Sequence, residues 1–371
     1  MSSPFLNSKD AGFLYKLKAF AGILSKRAFV GPYVVVIGGK YTCNYKCVFC
    51  EWFSPMRSKL RNEILSPNCY VNMDVYRELV KELSALGTKI ILIDYLEPFT
   101  DPDLIEKIRY AKLHGLKCII ITNGSLINET NAEKLVDLNL DYLNVSINAA
   151  SPETYPKIHV TENRETFHRI VSMISHIESL KEKRRSDCPH IRLSMVVCNR
   201  NYHDIVKLVD LCHNIGVKNV LFKKMIPTSK EIAEELDLTQ VQEAEMKEYL
   251  VEASESAKRY CINVDVEWSG WVDSQKTADM PCYYGWLFSM IDGDGNVYPC
   301  CFQDRGPQSI LGNISKERFS SVWYSKNYQE FRRKYKNIDA RKKIGCMCNQ
   351  PSCFFNNQQI FRILHEPYLM R

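Results

Sequence analysis

A chain of 371 residues, 45% hydrophobic and 25% charged, has the composition of a globular protein long enough for one large core and a smaller one beside it. Its formal net charge of +6 is spread along the chain rather than gathered into an arm, which argues against a nucleic-acid-binding tail and mildly favours anionic ligands. Fifteen cysteines, no secretory signal ahead of Gly31 and no uncharged stretch of membrane-span length argue against a disulfide scaffold and an integral membrane segment. The expectation is a cytoplasmic protein whose thiols are reduced, buried or metal-bound.

The first element, "GFLYKLKAFAGILSKRAF" (12–29), carries apolar residues at helical spacing with lysines between them. It is expected to be an amphipathic helix packed on the open side of the fold, with a membrane-surface or substrate-docking element as the alternative, forming an N-terminal extension over 1–30. From 34 to about 225, short β-branched runs alternate with helical segments. Strands are expected at 34–39, 89–95, 117–124, 142–149, 191–197 and 219–225, with helices at 75–87, 103–115, 132–140, 167–183 and 204–216. Several helices end on Gly, as a left-handed C-terminal cap requires. Strands buried on both faces, each followed by a helix, mean a parallel βα architecture over 31–238. Six such units suit an open partial barrel or a doubly wound sheet, and in either one chemistry gathers at the strand C-terminal ends.

Just after the first strand, "CNYKCVFC" (43–50) sets Cys43, Cys47 and Cys50 within eight positions. A two-residue spacing suits a redox pair or half of a zinc site, but a structural zinc needs a fourth ligand, and the nearest histidine, His114, lies well beyond the next strand. Three thiolates on one loop suit a cubane iron–sulfur cluster with one iron left open to a small molecule.

A charged helical segment (239–260) and the strand-like "INVDVEW" (262–268) lead into a second region over 239–371. "DGDGN" (292–296) signals a tight hairpin between two apolar strands, and a basic helix follows at 326–336. Cys282, Cys300, Cys301, Cys346, Cys348 and Cys353 form a second thiol group. The scattered Cys69, Cys118, Cys188, Cys198, Cys212 and Cys261 read as small core or loop residues.

"CNYKCVFC" matches the CxxxCxxC motif of the radical S-adenosylmethionine (radical SAM) enzymes, including the aromatic Phe49 before the last cysteine. The resemblance implies a partial (β/α)6 barrel and a [4Fe–4S] cluster on Cys43, Cys47 and Cys50. Its fourth iron would chelate S-adenosylmethionine, cleaved by one electron to a 5′-deoxyadenosyl radical. "YLEPFTDPDL" (95–104) falls where the family has its GGEP segment: Glu97 and Pro98 match, while Tyr95 and Leu96 replace two glycines. By the same likeness Phe49, Tyr95, Glu97, Asn123, Ser146 and Asn148 are candidate cofactor contacts. For Ser146 and Asn148, satisfaction of loop backbone is an equal alternative.

The second thiol group resembles the SPASM/Twitch extension of this superfamily through Cys282, Gly295 and Cys300. "CMCNQPSC" (346–353) is shorter than the two-cluster pattern, so one auxiliary [4Fe–4S] cluster is expected, on Cys282, Cys300 and two of Cys346, Cys348 and Cys353. A zinc ribbon on the same thiols competes with that reading. Cys301 would face the substrate as a hydrogen-atom donor, or else is a buried thiol.

The resemblance implies an enzyme that oxidises or epimerises a small polar or sugar-like substrate, with an auxiliary cluster near the substrate to take an electron. It implies an electron donor of flavodoxin or ferredoxin type and handling without oxygen. Maturation of a peptide or protein is the alternative, and an iron–sulfur electron-transfer protein without cofactor cleavage is a reading from another class. The 42 residues ahead of Cys43 are too few for a cobalamin-binding or peptide-leader-binding domain, so neither is expected.

Overall fold

The computed structural model describes residues 12–38, 42–56, 70–93, 96–227, 229–267, 282–300 and 309–337. Helix α1 (Phe13–Ser25) precedes strand β1 (Val34–Ile37). There follow α2 (Met73–Ala85), β2 (Ile90–Ile93), α3 (Leu104–Leu113), β3 (Lys117–Thr122), α4 (Glu129–Asp137) and β4 (Tyr142–Ser146). A short α5 (Tyr155–Ile158) leads to α6 (Arg164–Arg184), β5 (His190–Val197), α7 (Ile205–Asn214) and β6 (Asn219–Lys224). Beyond them lie α8 (Lys230–Leu236), α9 (Gln240–Tyr260) and β7 (Asn263–Glu267). The last described elements are α10 (Tyr284–Leu287), β8 (Phe288–Ile291), β9 (Asn296–Tyr298), β10 (Gly312–Asn313), α11 (Phe319–Trp323) and α12 (Lys326–Lys336).

Side-chain caps set the helix starts: Asn72, Asn128 and Asn163 accept backbone N–H bonds at α2, α4 and α6, and Thr239 with Gln242 forms a capping box at α9. Gly87 and Gly216, at φ 85° and 81°, turn the chain after α2 and α7.

Among the described residues the strands form one sheet in the order β10-β9-β8-β1-β2-β3-β4-β5-β6-β7. From β8 to β7 every neighbouring pair is parallel, while β9 and β10 run antiparallel at one edge. The order β1 to β7 never reverses, and a doubly wound sheet must reverse. The architecture is therefore α/β, an open partial barrel. Its sheet continues past 238, because α9 returns the chain to β7 beside β6 and β8 joins β1 on the other side.

The two-residue strand period sorts side chains onto two faces. One face carries Val35, Ile37, Ile91, Ile93, Ile120, Leu143, Val145, Leu193, Met195, Val220 and Phe222, and it packs with residues of α2, α3, α4, α6, α7 and α9 into one core. On the opposite, lumen face, Tyr33, Ile90 and Ile119 meet Tyr15, Ala19 and Ile23 of α1 together with Tyr284 and Trp286. Helix α1 thus closes the end of the lumen where the strands begin, as the amphipathic pattern suggests. Tyr15 Oη donates to the Gly31 carbonyl at 2.8 Å, and Trp286 Nε1 to the Arg27 carbonyl at 3.0 Å. No helix among the described residues is long and apolar enough to cross a membrane.

Candidate active site

The three-cysteine loop leaves the C-terminal end of β1 and is held over the strand ends by the segment that follows β4. Val48 N–H donates to the Ile158 carbonyl at 3.0 Å, and Cys47 forms an antiparallel bridge with His159. The hydroxyls of Tyr45 and Tyr155, both buried, lie 2.7 Å apart. His159 is fully buried, with Nδ1 3.1 Å from Cys47 Sγ and Nε2 3.1 Å from the Ile147 carbonyl oxygen. Val48 packs with Ile158, Cys198 and Met225, and Phe49 lies against that group. Phe49 therefore seats the loop on the ends of β5 and β6.

The donor set fits a cluster. Tyr45 N–H points at Cys43 Sγ at 3.4 Å, and the N–H groups of Trp52 and Phe53 point at Cys50 Sγ, each at 3.4 Å. Such donors favour sulfur in its anionic, ligating form. In the protein alone burial pushes the Cys43 thiol up to about 12, and burial, with the neighbouring Cys50 and Cys43, raises Cys47 as well. Ligation must therefore displace those protons, and the mutual effect shows the three sulfurs to be neighbours. Among the described residues no three His, Cys, Asp or Glu side chains are grouped as ligands of a single metal ion. Three sulfurs on one loop suit an iron–sulfur cluster, whereas a structural zinc needs a fourth protein ligand.

Leu96 sits at φ 57°, the left-handed region that glycine prefers. A leucine in this conformation carries strain that a glycine would not. Glu97, fully buried, accepts from Phe99 N–H at 3.1 Å and Thr122 Oγ1 at 2.7 Å on one oxygen, and from Asn123 N–H at 2.8 Å on the other. Its N–H donates to the Thr42 carbonyl at 3.2 Å. Glu97 thus ties the loops after β1, β2 and β3 together. Burial raises its pKa, opposed by the bonds from Thr122, Asn123 and Phe99. The Asn123 side chain donates to Asn44 Oδ1 at 3.0 Å, extending the tie to the residue beside Cys43.

Asn148, also left-handed at φ 54°, uses its side chain within the fold: Oδ1 accepts from Val196 N–H at 2.9 Å and Nδ2 donates to the Ser146 carbonyl at 3.2 Å. It joins the ends of β4 and β5, which is the backbone-satisfying role. Ser146 is half-buried on the lumen face, 3.4 Å from Ser194 Oγ.

Strand register reveals residues that the sequence reading missed. Asn144 and Ser146 of β4 align with Arg192 and Ser194 of β5; Ser194 aligns through Leu221 of β6 with Asp265 of β7, and Lys223 of β6 aligns with Glu267 of β7. These side chains share the lumen face, which is mostly apolar at β8 to β3 and mostly polar from β4 to β7, where Val196 and Leu221 interrupt it. Arg192 Nε donates to Asn144 Oδ1 at 2.8 Å and its guanidinium lies 3.9 Å from Asp265. Burial pushes Arg192 down to about 10; it raises Asp265 too, opposed by Arg192. The signal was present in "IRLSMVV" and "INVDVEW": polar residues recur at every second position inside strands otherwise read as wholly buried.

Cys282 and Cys300 are both buried, at 4% and 6% exposure, in the cluster that also holds Tyr15, Trp286 and Tyr335. The hairpin between them turns at Gly295 (φ 81°) and is shaped by Asp292, which accepts from Asn296 N–H at 2.8 Å and Tyr298 Oη at 3.0 Å. Because β9 runs back along β8, Cys300 returns to the edge where β8 and β1 begin. This pair lies at the end of the sheet opposite Cys43, Cys47 and Cys50, with β1 and β8 spanning between. Tyr95, Cys301, Cys346, Cys348 and Cys353 lie outside the described residues.

Comparison with known proteins bears on these sites. AdoMet-dependent heme synthase of Methanosarcina barkeri is 24% identical over 322 residues, covering 82% of this chain and 84% of that protein. A probable GTP 3′,8-cyclase of Methanococcus maripaludis is 22% identical, covering 78% of this chain and 91% of its own length. Streptococcus suis SuiB, in a crystal structure with S-adenosylmethionine, shares the fold at TM-score 0.66 and 16% identity, over 90% of this chain and 75% of that one. Residues 40–212 match the radical SAM superfamily model, and residues 282–353 match that of the SPASM iron–sulfur cluster-binding domain. The chain belongs to the radical SAM superfamily and carries a SPASM domain: it is a radical SAM enzyme whose cofactors are S-adenosylmethionine, the [4Fe–4S] cluster that binds it, and auxiliary iron–sulfur.

Proposed function

We propose that Cys43, Cys47 and Cys50 hold the S-adenosylmethionine-binding cluster, that Cys282 and Cys300 contribute to an auxiliary one, and that the enzyme oxidises a small polar substrate held against β4 to β7. The observation that carries the substrate class is the polar lumen stripe of Asn144, Ser146, Arg192, Ser194, Lys223, Asp265 and Glu267. A cavity wall needing only to exclude water would be apolar throughout, as it mostly is from β8 to β3. The names of two relatives, heme synthase and GTP 3′,8-cyclase, support a small-molecule substrate over a peptide. SuiB, by contrast, was solved with its precursor peptide SuiA, and it is similar to this chain in fold alone.

When bound, the cluster and S-adenosylmethionine supply one-electron chemistry and a 5′-deoxyadenosyl radical that takes a hydrogen atom. The chain's own residues position and protect. Glu97 fixes the loops after β1, β2 and β3 relative to one another, and His159 fixes Cys47. Helix α1, Tyr33, Ile90, Ile119 and Trp286 seal the far end of the lumen against water and stray hydrogen donors. Arg192, within the stripe, gives an anionic or hydroxyl-rich substrate a fixed partner.

The test is anaerobic reconstitution with dithionite, S-adenosylmethionine and deuterated candidate substrates. Deuterium in 5′-deoxyadenosine, with product two hydrogens lighter than substrate, supports oxidation. Product in which one deuterium has been replaced by a solvent hydrogen, with no other loss, means epimerisation instead, and Cys301→Ala should then stop product while sparing 5′-deoxyadenosine. An intact, reducible cluster that yields no 5′-deoxyadenosine would sink the enzymatic reading.

A further inference from the structure

Arg332, on α12, is fully buried, yet most of its hydrogen-bonding capacity is unused. Its Nε donates to the Gly285 carbonyl at 2.6 Å, but Nη1 and Nη2 have no hydrogen-bond partner among the described residues. The rings of Trp323 and Tyr328 each lie 4.4 Å from Cζ. Aromatic quadrupoles attract a cation, but they leave its charge without a counter-ion. A permanently charged guanidinium in a dry interior needs an anion, and no carboxylate pairs with this one among the described residues.

The surroundings indicate where that anion belongs. Gly285 lies three residues after Cys282, and a Cβ there would come within 3.0 Å of the Phe331 ring and 3.1 Å of Arg332 Cγ, so glycine lets both side chains approach closely. Cys282 N–H donates to the carbonyl of Tyr335, one helical turn on from Arg332. Phe331, beside Arg332 in the chain, and Tyr335, one turn on, pack in one cluster with Cys282 and Cys300. An iron–sulfur cluster ligated by thiolates carries net negative charge, and hydrogen bonds and charges around it set its potential.

We propose that Arg332 is the buried counter-charge of the auxiliary cluster, a positioning residue that raises the cluster's reduction potential and equips it to accept an electron. This inference rests on the assignment of Cys282 and Cys300 as ligands of that cluster. It gives α12 a task that a purely structural helix would not need. A helix packing only for stability would place Met or Leu at this point, avoiding a buried charge.

The experiment uses the full chain with Cys43, Cys47 and Cys50 all changed to Ala, so that only auxiliary iron remains after anaerobic reconstitution. Iron content and the reduction midpoint, followed by EPR, are read for Arg332, Arg332→Lys and Arg332→Gln. Arg332→Gln should lower the midpoint by about 59 mV or more, a tenfold change in the one-electron equilibrium, while Arg332→Lys stays closer to the parent. Arg332→Met, uncharged and similar in volume, is read the same way if Arg332→Gln does not fold. Equal midpoints with equal iron overturn the role of Arg332 and leave the cysteine assignment standing. A triple-alanine chain that takes up no iron overturns that assignment, and this inference with it.

Discussion

Cys47 Sγ and His159 Nδ1 lie 3.1 Å apart, and the other nitrogen of the same buried ring reaches the Ile147 carbonyl. One imidazole therefore couples a proposed cluster ligand to the end of β4. His159→Leu should keep the fold yet loosen the loop. By the usual cost of losing a partner behind a metal ligand, iron retention at the three-cysteine site should fall about 10- to 100-fold. His159→Asn, which can still bond to sulfur, should lose less. Iron release to a chelator, timed for the three proteins, checks this; identical release rates would make the ring a passive filler.

Cys47→Ala removes one of three sulfurs and should abolish 5′-deoxyadenosine formation. The iron held near Cys282 and Cys300 should remain, because that pair sits at the opposite edge of the sheet. Roughly half the iron should survive if each site holds one cubane cluster. Iron analysis alongside 5′-deoxyadenosine assay separates the two sites, and full turnover in the variant would refute the ligand assignment.

The strand and helix succession was legible because burial imposes a period that a single sequence displays. "VVVIGG" and "KIILIDY" became β1 and β2, and the expected basic helix 326–336 coincides with α12. The three-cysteine loop was legible because cluster ligation restricts spacing. The binding stripe was not. Arg192 and Asp265 are 73 positions apart in the chain, and only the pairing of β5 with β6 and of β6 with β7 puts them on one face. The role of Glu97 was hidden for a similar reason. Its partners Thr122 and Asn123 belong to the next strand end, so a motif read locally suggests a cofactor contact and says nothing of the carboxylate bracing three loops.

Leu96 at φ 57° carries about 1–2 kcal/mol of left-handed strain. Leu96→Gly removes that strain, but it adds about 0.5–1 kcal/mol of unfolded-chain entropy and loses contact with Val36, Met290 and Tyr298. These effects nearly cancel, so stability should change by less than about 1 kcal/mol. Leu96→Val should instead cost about 2 kcal/mol, since a β-branched side chain tolerates this region least. Denaturant midpoints at unchanged slope report both.

Glu97→Gln tests the brace. Its carboxylate receives three donors, and an amide of the same shape must turn its NH2 toward at least one N–H, of Phe99 or Asn123. One buried donor is then left unmet, costing about 1–3 kcal/mol. S-adenosylmethionine binding should weaken as well, because Thr42, Asn44 and Asn123 lose their common anchor. A variant with wild-type melting and binding would show that the loops after β1, β2 and β3 are held by their backbone alone.

Arg192→Met separates substrate handling from cofactor cleavage. The change leaves Asn144 Oδ1 without its donor and Asp265 without its cation. Loss of a tight buried ion pair costs about 3–5 kcal/mol, and a separation of 3.9 Å with Asp265 partly solvated should bring this nearer 2–3 kcal/mol. Pairing it with Asp265→Leu removes the orphaned charge and should recover most of that loss, so any remaining defect belongs to function. In the double variant, 5′-deoxyadenosine formed without substrate should match wild type, since both residues lie within strands β5 and β7 rather than in the loops after β1, β2 and β3. Product formation should fall at least tenfold in kcat/KM, because a polar substrate would meet an apolar wall where the stripe had been. If product keeps pace with 5′-deoxyadenosine in that protein, the β4 to β7 face is not where the substrate binds.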